Sequence, residues 1–166
     1  MPQIALQDWL DHHSGRLAQE CAVRLCLACS AILPTDRSLK ELVKDQILSD
    51  ILSFAFHGRR VMEWHNLKSA TIFIDPLWPA STCAAPKGNL FDVLGTLVHA
   101  REIVVVWEKP EDSSNPYKGR EAIFAGKIVV TSDHSPREFA IGALAASYIG
   151  AVANQLPTND QKAVDT

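Results

Sequence analysis

SLKELVKDQILSDILSFAFHGRRVMEWH, residues 38 to 65, decides how this chain folds. Ser38 and Glu41 stand in capping-box spacing, with Thr35 and Asp36 as alternative caps, so a helix is predicted to open here and run to about His65. Within it Ile47, Ile51, Phe54, Gly58 and Val61 recur at steps of four and three residues, the spacing of one helix face. Gln46, Ser49, Asp50, Ser53, His57, Arg60 and Trp64 fall on a different face, the most polar constellation in the sequence. A long helix with one apolar stripe has to bury that stripe against neighbours.

Those neighbours are expected to be mostly helical. Upstream, a helical pattern runs from Gln3, with a break expected at Ser14 and Gly15. It carries two adjacent stripes, Leu17, Cys21, Leu25, Ala28 and Ile32 beside Ala22, Cys26, Cys29 and Leu33, before Pro34 ends it. Downstream, residues 69 to 88 are irregular: Thr71 to Ile74 is a short β-type run, and prolines at 76, 79 and 86 forbid a continuous helix. Helical signal returns after Asn89, where Leu90, Phe91, Leu94, Leu97 and Val98 share a face. Ile103 to Trp107 suits a strand or a buried helix turn, and the reading inclines to helix. Residues 110 to 119 form a loop, and Glu121 to Thr131 a hairpin or irregular strand bending near Gly126 and Lys127. Ser135, Pro136 and Glu138 supply an N-cap, a first-position proline and a capping-box partner for a last helix rich in small residues, Gly142, Ala143, Ala146, Gly150 and Ala151. The fold class is therefore mainly α with a small β element, the alternative being α+β. One domain is expected over residues 1 to 155, with 156 to 166 a mobile tail.

Composition narrows the functional classes. The 166 residues are 47% hydrophobic and 21% charged, ordinary for a globular protein. A net charge of -3 provides no overall cationic field for nucleic acid, so any such role rests on a local site. The N-terminal residues do not look like a secretory signal, and the longest apolar run, Phe139 to Ala153, is shorter than the roughly 20 residues of a membrane span. A cytoplasmic protein without membrane contact is expected. Cys26 and Cys29 form a C-x-x-C, yet no second such pair or H-x-x-x-H completes a zinc site, and the pair lies within a helical apolar pattern. With Cys21 and Cys83 they are expected to be inert packing thiols; no metal and no cofactor is expected.

Chemistry concentrates in His57, Arg59, Arg60, Glu63 and His65. Arg60 and His65 stand in an R-x4-H relation and Arg59 and His65 in R-x5-H. An imidazole can move a proton near neutrality and a guanidinium can grip a phosphate, so the set suits metal-independent phosphodiester cleavage. Five residues on an unbroken helix turn by about 140°, so Arg60 and His65 converge only if the helix ends between them, which Asn66 favours. The plainer reading makes the arginines surface partners of Glu63 at i,i+4 and i,i+3. His99 and Arg101 form a second, weaker pair, while His12, His13 and His134 have no such company.

The segment from Phe56 to His65, followed by Leu94-Gly95-Thr96-Leu97-Val98-His99-Ala100-Arg101, resembles the HEPN superfamily of small helical-bundle proteins, over about Leu48 to Trp107. The resemblance implies a four- to five-helix bundle, a homodimer, and in many members metal-independent RNA cleavage by paired R-x4-6-H motifs. Arg60 would match the family arginine that binds phosphate and His65 the histidine that activates the 2'-hydroxyl. Alternatively His57 and Arg59 match an H-x-R subgroup. The leading expectation is an HEPN-like endoribonuclease acting in stress or phage defence, with Arg60, His65, His57 and His99 catalytic and Arg59 and Arg101 binding substrate. The competing expectation is a non-catalytic module that binds a protein partner or a second copy through Trp9, Trp64 or the small-residue helix. A small-ligand pocket beneath residues 69 to 88 is a third.

Overall fold

The computed structural model describes residues 6–30, 37–72, 88–108, 123–133 and 135–156. Its framework is a pair of long helices, α1 (Leu6–Ser30) and α2 (Arg37–Trp64). They run antiparallel: Asp11 meets His65, Ser14 meets His57 and Arg24 meets Asp50, each pair stepping down one helix and up the other. α1 is continuous through Ser14 and Gly15, against the expected break; both are buried where α1 packs on its neighbours. The two stripes of α1 bury Cys21, Ala22 and Leu25, with Ala18 buried one turn before Ala22, and the stripe of α2 buries Ile47, Ile51, Phe54 and Val61.

α2 ends at Trp64, and the reason is legible locally. Asn66 sits at φ 55, the left-handed conformation that an Asn tolerates better than most residues. Leu67 N–H donates to the Met62 carbonyl at 2.8 Å and Asn66 N–H to the Glu63 carbonyl at 3.4 Å, the paired bonds of a Schellman cap. The third helix, α3 (Leu90–Val98), opens at Asn89, whose side chain accepts from Phe91 N–H and Asp92 N–H. Thr71 makes a single bridge with Asn89, while Phe73 and Ile74 of the expected β run lie outside the described residues.

The chain then leaves the helical expectation. Ile103 to Trp107 is not helix: it belongs to strand β1 (Glu102–Glu108), paired antiparallel with β2 (Ile123–Thr131). Cross-strand partners decide the ambiguity, since Ile103 opposes Val130, Val104 opposes Val129 and Val105 opposes Ile128. β-branched residues gain most on such a pleated surface. Of the two readings of the next stretch, the irregular strand holds and the hairpin does not: residues 121 and 122 lie outside the described residues, and Ile123–Thr131 is a single strand. Within β2, Gly126 takes φ 68 where the register slips between Val105 and Trp107, a bulge instead of a turn.

The start signals at Ser135, Pro136 and Glu138 do not start a helix either. Residues Arg137–Ala140 form β3, antiparallel to β2 in a sheet ordered β1-β2-β3. Phe139 opposes Ile128 and is buried, and Pro136 stands just before an edge strand, where a missing N–H costs little. α4 (Ile141–Ala151) begins directly after β3, with Ala140 at its N-cap and no side-chain cap bond, and a 3-10 turn (Ala153–Gln155) follows.

The result is mainly helical: among the described residues, four α-helices and one three-stranded antiparallel sheet. α4 and β2 pack against α1, and one core joins Leu25, Ile51, Phe54, Met62, Leu94, Leu97, Ile128, Ile141, Leu144 and Tyr148. Leu156 packs on this core, and the remainder of the expected tail, like the loop over 110 to 119, lies outside the described residues. No described helix is long and apolar enough to cross a membrane.

Candidate functional site

Arg59 and Arg60 reach the same place. With Phe56, Glu63 and Trp64 of α2 and Val98 of α3 they line a shallow groove of about 390 Å³. Each guanidinium lies over an aromatic ring: Arg59 Cζ is 4.4 Å from the centre of Phe91, and Arg60 Cζ is 4.3 Å from the centre of Trp64. Such stacking holds the planar fork in place and leaves its N–H edges free for a carboxylate or phosphate. α3 makes room for Arg59 through Gly95, because a Cβ at that position would overlap the guanidinium.

The expected pairing of these arginines with Glu63 does not form. Glu63 takes Lys68 instead, at 3.1 Å, and Lys68 also approaches the Phe91 ring at 5.1 Å. Among the described residues neither Arg59 nor Arg60 has a carboxylate partner. The groove therefore presents, beside Glu63, two guanidiniums that no carboxylate of the described residues pairs with, on a chain whose net charge is negative.

The histidines lie elsewhere. His65, the residue that caps the end of α2, turns to α1, where its Nε2 is 3.1 Å from the Asp11 carboxylate. His57 Nδ1 is 3.2 Å from the buried Ser14 hydroxyl. Burial, then His13 and Arg60, hold the His57 imidazole below its ordinary range, favouring the neutral ring. Its ring also meets Phe56 edge-on at 5.2 Å, so it stands between the groove wall and α1. His99 is exposed at the C-terminal end of α3, donating its backbone N–H to the Gly95 carbonyl, and Arg101 pairs with Asp133.

Of the six sequence candidates, then, Arg59 and Arg60 share a concavity, His57 borders it, and His65, His99 and Arg101 are outside it. Sequence reasoning missed Phe91 and Gly95, which seat Arg59, and Asp11 and Ser14, which hold the histidines. Only the i,i+4 spacing of Arg60 and Trp64 signalled its contact beforehand; the others are long-range. Of the small residues of the last helix, Gly142 is buried in α4, whereas Ala143, Ala146 and Ala151 are partly exposed and Gly150 is exposed.

The thiols fit the packing role. Burial pushes Cys21 up to about 11 and Cys29 up to about 12, so neither is a ready thiolate, and Cys83 lies outside the described residues. Among the described residues, no group of three His, Cys, Asp or Glu side chains is placed to hold a metal ion. Set against known proteins, the chain matches no family model, no curated protein and no solved structure.

Proposed function

We propose that this chain is a cytoplasmic, HEPN-like protein that binds single-stranded RNA at the α2 groove, gripping phosphate with Arg59 and Arg60. The observation that carries the reading is the pair of ring-stacked guanidiniums without carboxylate partners among the described residues. Trp64 and the half-exposed Phe56 add the aromatic surface on which unpaired bases stack. Binding is better supported than cleavage. Scission by the Arg60 and His65 pair requires both at one phosphate, and His65 contacts Asp11 of α1 and is not among the residues lining the groove.

Fluorescence anisotropy with a short labelled RNA tests this. Two phosphate contacts give a slope of log affinity against log salt of about -1.4, and the double variant Arg59→Ala/Arg60→Ala should abolish most of it. Incubation of RNA with the protein in EDTA should leave the strand intact; arginine- and histidine-dependent cutting would instead restore the endoribonuclease reading. Equal affinity of wild type and double variant would remove the groove from RNA binding.

A second reading is self-association. Leu52 and Phe56, four residues apart on one face of α2, are 48% and 52% exposed, and the adjacent groove carries both charge signs. Light scattering of the wild type against Phe56→Ser distinguishes this: a dimer lost in the variant, with the RNA affinity unchanged, would favour it.

A further inference from the structure

His57 stands where a ligand's charge can be felt without touching the ligand. It follows the groove-lining Phe56 and meets that ring edge-on, and it lies one helix turn before Arg60 on the same side of α2. Its other neighbours lie behind it. From α1 come His13 and the Ser14 hydroxyl, with Asp11 nearby committed to His65. α3 and α4 reach the adjoining Gly58 with Leu94 and Tyr148; the first is apolar, and burial keeps the Tyr148 phenol protonated throughout the neutral range. Among the described residues, the charges that act most on the His57 ring are thus cationic, Arg60 always and His13 when protonated.

We propose that anion binding at the Arg59–Arg60 groove is coupled to proton uptake by His57, so that the groove's affinity rises as the solution is acidified. The proposal rests on the RNA-binding reading above and names its regulation. An incoming phosphate cancels the field of Arg60, which is one of the causes disfavouring imidazolium at His57. The ligand thereby makes protonation easier. By linkage, protonation strengthens the ligand in equal measure. The protonated ring keeps its bond by donating from Nδ1 to the Ser14 oxygen, so no rearrangement of α1 is needed.

Oligouridine is the probe, since its bases and phosphodiesters do not titrate between about pH 5.5 and pH 8. Across that range the wild type should gain roughly fivefold more affinity than His57→Gln, the effect of one charge about two helix turns away in partly solvated surroundings. The comparison cancels the other histidines, which both proteins keep. An NMR titration of His57 in the wild-type chain needs no variant, and added oligouridine should raise its midpoint. Parallel pH profiles for the two proteins, or a His57 midpoint unmoved by saturating RNA, would overturn the coupling. If Arg59→Ala/Arg60→Ala binds oligouridine as the wild type does at every pH, the RNA reading itself falls, and the coupling with it.

Discussion

Gly95→Ala separates binding from folding in this protein. A Cβ built at Gly95 stands 3.2 Å from Arg59 Cζ and closer still to Nη1, with no backbone of another element in its way. The obstructed atoms are the far end of a long side chain, so the guanidinium yields and α3 does not. Leaving the Phe91 ring costs about 0.5 to 1 kcal/mol for a partly exposed cation–π contact. Replacing glycine within α3 returns about as much, because alanine is about 0.8 to 1 kcal/mol the better helix former. Urea denaturation should therefore give an unfolding free energy within about 0.5 kcal/mol of wild type. RNA affinity, by contrast, should fall by about threefold to tenfold, the loss of one positioned phosphate contact. A destabilisation beyond about 2 kcal/mol would mean that the backbone moved and the side chain did not. Unchanged affinity would mean that the seat on α3 does nothing for Arg59.

Three further outcomes are expected. Arg24→Met leaves Asp50, 7% exposed at its side chain, without the guanidinium that reaches it at 2.7 Å. The loss should be about 2 kcal/mol by chemical denaturation, moderated because Arg24 itself is half in solvent, and Arg24→Met/Asp50→Leu should recover part of it. Tyr148→Phe should stabilise by up to about 1 kcal/mol in thermal melts, since the Tyr148 hydroxyl is buried without a partner among the described residues; a loss of similar size would reveal a partner. Because folding lowers the His57 titration from its ordinary 6.5, the unfolded chain binds more protons. Stability should thus be full above 6.5 and decline as pH falls toward the folded midpoint, and His57→Gln should flatten that decline.

The two long helices and α3 were legible in the sequence because their stripes are local: Ile47, Ile51, Phe54 and Val61 declare a face without help from the rest of the chain. The sheet was not. Ile103 to Val106 is ambiguous until Ile128, Val129 and Val130 arrive opposite it, more than 20 residues later. Ser135, Pro136 and Glu138 are sound helix signals that lost to a stronger claim, the burial of Phe139 in β3. The candidate site divides along the same line. The closeness of Arg59 and Arg60 follows from adjacency on α2, whereas the turning of His57 and His65 toward α1 depends on Ser14 and Asp11, more than 40 residues away.

Because Ala140 is both the last residue of β3 and the N-cap of α4, nothing lies between sheet and helix to absorb an error. The hydrogen-bond register of β3 on β2 therefore fixes the rotational phase of α4. Deleting one residue from β3 would swing every side chain of α4 by about 100°, carrying Tyr148 away from its edge-on contact with Phe54. The short strand thus acts as the index mark that aligns the last helix with the bundle, and insertions or deletions should be tolerated far less at this junction than at exposed connections.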